Sequence, residues 1–462
     1  MREKGSEYDK LIKKCVPKIF RINRLRKMKK FQHRVTGIIV GVLHSAFILF
    51  LCVISLYAKE RANIIVAKDG TGQFSSIQSA IDSVPTNNSR LWIILIKKGL
   101  YNEKLFIQKS NIALVGEDRN STRIVYAELR ETWANNHKGS DWGSAVINID
   151  TTANDITLAN LTVLNNYGSL YGAYNKHQFT VRGAGTRTSI LSCNIISDGG
   201  DALSLWNKET GMYYHNDCYF EGWVDFVCPR GWCYITNSQF FGHNKPSASI
   251  WHDGSKDKNQ KFVIMNSSFD GVSGFPLGRN HLDAQIYLID CRFSANMADR
   301  AFFRPPSSPH EWIWGDRHYF LNCHRDGGDY AWFKDNIDKA ENSPDRKTVT
   351  AQWSFDNKWD PEGAMPAVLP FASIPYPANK SMEITVHTID SLRWIGGRNA
   401  VSYNLYFSTD SLPHFIGNQK ETVFSPGHLK ENSLYNWRVD VVTEHDTVSG
   451  QLWNFKTSVI SK

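Results

Sequence analysis

Two aspartates, Asp201 and Asp225, stand 24 residues apart in similar short contexts of this 462-residue chain, Gly200-Asp201-Ala202-Leu203 and Val224-Asp225-Phe226-Val227. Carboxylates that meet on one face of a protein repel each other unless they share a proton or pair with a cation. Such a pair separates an acid from a base, as nucleophilic attack and proton transfer require. The ordinary alternative is that both aspartates occupy turns, where this residue type is common.

A short pattern that recurs between residues 191 and 324 decides whether the two aspartates can meet. A polar residue precedes Cys or Ser, and an aromatic residue or Ile often follows two places on. These Cys and Ser residues lie 25, 20, 29, 24 and 32 residues apart: Cys193, Cys218, Ser238, Ser267, Cys291 and Cys323. Repeats of this length, rich in β-branched and aromatic residues, predict a right-handed parallel β-helix, with the small side chains stacked inside. Residues one coil apart then stand about 4.8 Å apart, so Asp201 and Asp225 become neighbours.

The predicted β-helix domain covers residues 61–356, and a helix is expected to close its open end. Ser75 and Gln78 have the spacing of a capping box. An apolar stripe follows at Ile77, Ala80, Ile81 and Val84. A helix with this stripe would cover the core and the strand edges at the first coil.

Cysteine spacing gives two further expectations. Cys228 and Cys233 lie five residues apart, and a disulfide between them stays open in an oxidising compartment. The cysteines do not pair with histidines in a metal-site pattern, so neither a metal nor an organic cofactor is expected.

The positive charge of the chain lies in its first residues. Residues 1–62 contain 15 Lys and Arg against 4 Asp and Glu, and the remainder has a net charge of −3. This distribution argues against a nucleic-acid surface. A basic stretch followed by the apolar run 37–58 predicts that residues 1–60 hold a signal peptide or an uncleaved signal anchor. We therefore expect an exported monomer that contacts a membrane only through an uncleaved leader.

The end of the chain has a different composition. Five prolines fall between residues 357 and 380, which predicts a semi-rigid linker. Residues 381–462 alternate apolar and polar side chains at strand spacing, which predicts a small β-sandwich. This module resembles a fibronectin type III domain, with a spacer role or a glycan-binding role both open.

Five motifs between residues 64 and 340 resemble those of the pectin methylesterase family. The first, third, fourth and fifth along the chain occur where the family has Gly-x-Tyr-x-Glu, Gln-Asp-Thr-Leu, Gly-Thr-Val-Asp-Phe-Ile and Leu-Gly-Arg-Pro-Trp. The second is similar to the segment that presents the family's first active-site glutamine. In chain order they are Gly99-Leu100-Tyr101-Asn102-Glu103, Lys176-His177-Gln178-Phe179-Thr180-Val181-Arg182, Gly200-Asp201-Ala202-Leu203, Gly222-Trp223-Val224-Asp225-Phe226-Val227 and Leu277-Gly278-Arg279-Asn280-His281. Their shared order and spacing make the resemblance specific.

The resemblance implies a hydrolase that removes methyl esters from the galacturonate units of pectic polysaccharide. Asp225 would be the nucleophile and would form an acyl-enzyme. Arg279 would hold Asp225 ionised. Asp201 would protonate the departing methanol and then activate water. Gln178 would donate a hydrogen bond to the oxyanion.

Two departures from the family pattern alter this expectation. Gly200 stands where the family has its second active-site glutamine, so one oxyanion donor is absent. Asn280 and His281 replace Pro-Trp and remove an aromatic sugar-contacting residue. Substrate contacts are therefore expected from His281, for which an exposed loop histidine is the alternative. They are also expected from tryptophans, which buried packing explains equally well: Trp206, Trp223, Trp232 and Trp251. These changes favour an atypical substrate, such as a methylated uronate in a branched pectin.

Two alternatives remain open from the residues alone. Parallel β-helices also carry polysaccharide lyases and glycoside hydrolases. Asp201 and Asp225 could act as a glycosidase pair, but Gln178 and Arg279 would then lack a role. A glycan-binding protein with weakened catalysis is the non-enzymatic alternative, and Gly200 is the residue that favours it.

Overall fold

The protein is described here by a computed structural model that covers residues 62–255, 257–305, 313–386 and 389–458. The predicted leader, residues 1–60, lies outside the described residues. Among the described residues, every helix is too short or too polar to cross a bilayer.

Three parallel sheets wind around one core and form the predicted right-handed β-helix. In stacking order, the first sheet contains Ala62–Val66, Trp92–Ile96, Ile112–Gly116, Ile156–Ala159, Thr188–Leu191, Met212–Asn216, Trp232–Thr236, Phe262–Met265, Gln285–Ile289 and Arg317–Leu321. The second contains Leu105–Ile107, Ile147–Ile149, Val181–Gly183, Leu203–Leu205, Val227–Pro229, Ile250–His252 and Gly278–Asn280. The third contains Gly99–Tyr101, Thr122–Tyr126, Thr162–Asn165, Asn194–Ser197, Tyr219–Gly222, Gln239–Gly242, Ser268–Gly271, Arg292–Phe293 and His324–Arg325.

The recurring sequence pattern corresponds to the turn between the first and third sheets. The polar residue of each repeat adopts a positive φ, for example 55° at Asp217 and 52° at Asn237. Asp and Asn tolerate this left-handed conformation better than most residues. The Cys or Ser that follows turns inward, and all six members of the series are buried, as predicted. Cys218 and Ser238 are linked by a hydrogen bond of 3.1 Å from the backbone N–H of Cys218 to the hydroxyl of Ser238.

A helix at Ile77–Ser83 packs against the first coil, and its predicted apolar stripe is buried. The predicted capping box is wrong by one residue, because Ser76 is the N-cap and accepts from Ser79 N–H. The side chain of Glu103 also accepts from the Ser76 hydroxyl at 2.9 Å and from the N–H groups of Ile77 and Gln78. A carboxylate from the next coil thus satisfies the orphan donors of the first helical turn.

The other helices are short: Arg130–Asn136, Tyr167–Tyr171, Ala351–Ser354 and Pro361–Ala364, with 3-10 turns at Ala331–Phe333 and Ile337–Lys339. Residues 357–380 differ from the predicted semi-rigid linker. They contain the helix Pro361–Ala364 and the strand Ser373–Tyr376, and Val368 and Leu369 are buried in a cluster with residues of the first sheet. The apolar residues between the prolines give this segment a surface to bury, which composition alone did not show.

The C-terminal module consists of two sheets. One contains Ser373–Tyr376, Leu392–Ile395 and Val423–Phe424. The other contains Ser381–Ile384, Ser402–Ser408, Phe415–Gln419, Leu434–Val442, Thr447–Val448 and Trp453–Thr457. Trp394, Trp437 and Trp453 form part of its separate core. The predicted β-sandwich is therefore present, and its resemblance to fibronectin type III stays a prediction.

We expect Glu103→Ala to lower the free energy of unfolding by about 1–2 kcal/mol. The N-cap Ser76 remains, but the N–H groups of Ile77 and Gln78 lose the carboxylate that accepts their hydrogen bonds. Urea denaturation measures this change. Glu209→Ala, at an exposed turn, is the control and should shift the free energy by no more than about 0.5 kcal/mol. Equal effects of the two substitutions would contradict the capping role.

Candidate active site

Asp201 and Asp225 occupy equivalent turns that lead from the third sheet into the second. The strands that follow them pair in parallel, with Leu203 opposite Val227. The Asp201 N–H donates to the Val224 carbonyl at 3.0 Å. Both aspartates have a positive φ, 58° at Asp201 and 50° at Asp225. The register and these turns, in a left-handed conformation that Asp tolerates, fix the two carboxylates in adjacent coils.

Arg279 reaches Asp225 from the strand Gly278–Asn280, two coils further along the β-helix. Its Nε donates to Asp225 Oδ1 at 2.9 Å, and its Nη2 donates to Oδ2. Asp225 is only 3% exposed. A two-point guanidinium–carboxylate pair of this kind fixes the orientation of both groups.

The two buried carboxyl groups have different electrostatic surroundings. Burial, reinforced by the charge of Asp225, raises the pKa of Asp201 to about 7. Burial also raises the pKa of Asp225, but the hydrogen bonds and charge of Arg279 oppose the rise. Asp225 therefore ionises first, and Asp201 keeps its proton over a wider pH range. This is the separation of nucleophile and acid that the chemistry requires.

Gln178 lies one coil before Asp201, but its amide does not face an open site. The side chain is 0% exposed. Its oxygen accepts from Gly168 N–H at 2.9 Å, and its nitrogen donates to the Ala173 carbonyl at 2.7 Å. Gln178 thus anchors the segment that contains the helix Tyr167–Tyr171. The structure brings Asp201, Asp225 and Arg279 together. It places Gln178 in the preceding coil, where its amide binds the backbone of Gly168 and Ala173.

Gly200 is a residue that the packing requires. A Cβ atom built on Gly200 would lie 2.6 Å from Cγ1 of Val224 and 2.8 Å from its carbonyl oxygen. A glutamine at this position therefore needs a shift of the next coil. The close approach of Val224 therefore leaves no room for the family's second glutamine at position 200.

Arginine and tryptophan side chains alternate beside the aspartates, one from each of five successive coils. We call them the Arg–Trp stack: Arg182, Trp206, Arg230, Trp251 and Arg279. The distance from the guanidinium carbon to the ring centroid is 4.7 Å for Arg182–Trp206 and 3.5 Å for Arg230–Trp206. It is 4.3 Å for Arg230–Trp251 and 5.7 Å for Arg279–Trp251. Cation–π contacts in this range are attractive, most strongly where water is excluded. Two predicted substrate residues, Trp206 and Trp251, are therefore packed between arginines, and Trp251 is buried.

His281, another predicted substrate residue, is partly exposed and lies at the edge of the Arg–Trp stack. Its ring meets Trp251 edge-on, with 4.8 Å between the centroids. Its Nδ1 is 3.6 Å from Oδ1 of Asp253. Lys208 and Arg230 also face Asp253. This edge of the site is thus cationic, with Asp253 as a partial counter-charge.

Trp223 lies on the other flank, two residues before Asp225. Its ring is partly exposed and stacks with His243 at 5.6 Å between centroids. The centroid of the exposed Tyr174 ring is 5.8 Å from that of Trp223. Unlike Trp206 and Trp251, Trp223 is not packed between arginines, and with Tyr174 it offers an aromatic surface for a sugar ring.

The disulfide left open from the sequence is not formed, because Cys228 and Cys233 are both free thiols. They lie on strands of different sheets, and Cys233 points into the core. Cys228 instead lies beside the acid, with its Sγ 3.7 Å from Asp201 Oδ1 and 3.3 Å from Ser204 Oγ. Burial raises the pKa of the Cys228 thiol well above its usual value, which keeps it a neutral neighbour of Asp201.

Sequence reasoning missed several residues of the site. Arg182 and Arg230 belong to the Arg–Trp stack, and Cys228 contacts Asp201. His177 approaches the same carboxyl, with Nε2 4.0 Å from Oδ2. Its position directly before Gln178 in a family motif was a signal that could have been followed.

Fold and site together define a parallel β-helix protein with a buried, arginine-paired carboxylate dyad. Residues 63–284 match the family model described as Pectinesterase. This segment of the β-helix domain is therefore similar to the pectinesterase family.

Curated relatives are similar to parts of the chain. A protein named "Probable pectinesterase 56" from Arabidopsis thaliana is 30% identical over 178 residues, which cover 37% of this chain and 55% of that protein. Pectinesterase 2 from Citrus sinensis is 27% identical over 212 residues, 46% of this chain and 39% of that protein. The chain thus spans about half or less of the length of these relatives.

Solved structures share the fold. A pectin methylesterase from Erwinia chrysanthemi superposes with a TM-score of 0.53 at 19% identity, covering 65% of this chain and 98% of that one. One from Aspergillus niger gives a TM-score of 0.52 at 18% identity, covering 65% of this chain and 96% of that one. A pectin methylesterase in complex with a hexasaccharide gives 0.53 at 21% identity, covering 66% and 99%.

The raised pKa of Asp201 predicts a pH-dependent difference in stability between the wild type and Asp201→Asn. Between the pKa of an unfolded aspartate, about 4, and about 7, the folded wild type holds a proton that the unfolded chain has lost. Its stability therefore falls relative to that of the variant as pH rises, by at most about 1.4 kcal/mol per pH unit. Urea denaturation from pH 4.5 to 7.5 measures this. A constant difference would contradict the raised pKa.

Proposed function

We propose that the chain is a carboxylic ester hydrolase that removes methyl esters from galacturonate units of pectic polysaccharide and releases methanol. The observation that carries the proposal is the Asp225–Arg279 pair beside a carboxyl group, Asp201, that keeps its proton. The match of residues 63–284 to the family model described as Pectinesterase supports the ester as the bond cleaved.

In the first half-reaction, an ionised oxygen of Asp225 attacks the carbonyl carbon of the ester. The carbonyl π electrons move onto oxygen and form a tetrahedral oxyanion. When this intermediate collapses, the bond to the methoxy oxygen breaks, and the methoxy group leaves as methanol with the proton of Asp201. The product is a mixed anhydride between Asp225 and the uronate.

In the second half-reaction, Asp201 is ionised and takes a proton from water. The hydroxide that forms attacks the uronate carbonyl and breaks the anhydride. The uronic acid leaves, Asp225 returns as a carboxylate, and Asp201 is again protonated. Because the pKa of Asp201 is about 7, it can exchange this proton near neutral pH.

The Arg–Trp stack supports an acidic polysaccharide as the substrate. Three guanidinium groups and Lys208 lie along one edge of the site, partly offset by Asp225 and Asp253, and this concentration of cations attracts uronate carboxylates. Trp223 offers an aromatic surface on the other flank. Since Gly200 and His281 depart from the family pattern, we propose a branched or otherwise atypical pectin. We further propose that the protein is exported, on the basis of the basic and apolar leader.

Asp225→Asn should abolish methanol release from esterified pectin, because an amide cannot attack the ester. The control is Asp217→Asn, which changes an aspartate with the same left-handed backbone, φ 55°, at the turn between the first and third sheets. Methanol is quantified enzymatically under saturating substrate. Unchanged release by Asp225→Asn would remove the nucleophile assignment, and shortened or unsaturated chains without methanol would indicate a glycosidase or lyase.

A further inference from the structure

The site needs a hydrogen-bond donor that the expected residues do not supply. A developing oxyanion requires a donor placed against it, and such a donor strongly affects the rate. Gly200 has no side chain. Gln178 is buried, its oxygen accepts from Gly168 N–H, and one of its two amide N–H groups donates to the Ala173 carbonyl. An exposed donor near Asp201 is therefore better placed to meet a substrate.

His177 occupies the position next to this gap. Its backbone forms a parallel bridge with that of Gly200 in the adjacent coil, so the two Cα atoms are stacked neighbours. The imidazole is 42% exposed and is therefore open to substrate. Its Nε2 is 4.0 Å from Asp201 Oδ2, beyond a direct hydrogen bond but adjacent to the acid.

Glu131, on the helix Arg130–Asn136, orients the imidazole. Its Oε1 lies 3.1 Å from His177 Nδ1. A carboxylate only accepts, so Nδ1 carries the proton, and Nε2 is a donor only in the imidazolium form. Three acidic groups face the ring: Glu131, Asp201 and, further away, Asp225. The neighbouring cation Arg130 is paired with Asp141 at 2.9 Å.

We propose that His177, oriented by Glu131, donates a hydrogen bond from Nε2 to the carbonyl oxygen of the ester. Gly200, which has no side chain, does not provide this hydrogen bond. This inference rests on the proposed function. The histidine keeps its proton throughout, since the proton lost to methanol comes from Asp201. The purely structural alternative is an exposed histidine–glutamate pair, which contributes little to stability. The two roles therefore differ in what their loss changes.

The test compares His177→Phe, which keeps a ring without a donor, with His177→Gln, which carries a neutral amide donor. We expect His177→Phe to lower kcat for methanol release by about 10²- to 10³-fold, with KM within about threefold of the wild type. The urea midpoint should not change. His177→Gln should recover part of kcat, because its amide again places a donor at this position.

The control is His324→Phe, because His324 is also exposed and paired with a carboxylate, Asp329, at 2.9 Å, on the third sheet. It should leave kcat unchanged. A kcat of His177→Phe within about threefold of the wild type would overturn the inference, as would equal activity of the Phe and Gln variants at every pH. A wild type that releases no methanol would overturn the proposed function and this inference together. An active wild type whose release depends on Asp225 but not on His177 would overturn this inference alone.

Discussion

The parallel register that sets Leu203 beside Val227 places Asp201 and Asp225 in adjacent coils, where both side chains are buried. The arrangement of the other site residues depends on this pair. Two buried negative charges this close are unfavourable, and one cation is placed directly against one of them. Arg279 forms both of its hydrogen bonds to Asp225, so the second carboxyl is left to hold a proton. In the proposed mechanism, the positions of the two aspartates therefore assign the acid and the nucleophile, since the two residues are chemically identical.

Holding that arginine in place is a structural task that the β-helix solves by repetition. Five successive coils each place an arginine or a tryptophan on this face, although Trp206 and Arg230 stand two residues beyond Ser204 and Cys228, the register partners that follow Arg182. Each guanidinium lies against an indole, which partly replaces the water that burial removes. Arg279 is the last member of this stack, so its approach to Asp225 is supported by packing through Trp251 as well as by charge.

The sequence was sufficient where a feature repeats along the chain. The Cys and Ser series predicted stacked coils, and the spacing of Asp201 and Asp225 predicted their contact in adjacent coils. It was insufficient where side chains choose between partners. Gln178 has the position of an oxyanion donor, but the turn 168–173 binds its amide instead. Glu103 was known as a motif residue, whereas its role as a helix cap depends on a contact across 26 residues. The contact between Glu131 and His177 spans 46 residues and has no local signature.

The central claim, that the proton of the dyad resides on Asp201 while Asp225 is ionised, can be measured directly by difference infrared spectroscopy of the carboxyl groups. At pH 6, the wild type should show the carbonyl stretch of a protonated carboxylic acid that disappears from the spectrum of Asp201→Asn, because the pKa of Asp201 is about 7. A band that persists unchanged in Asp201→Asn would place the proton on Asp225 or elsewhere and would contradict the assignment of nucleophile and acid.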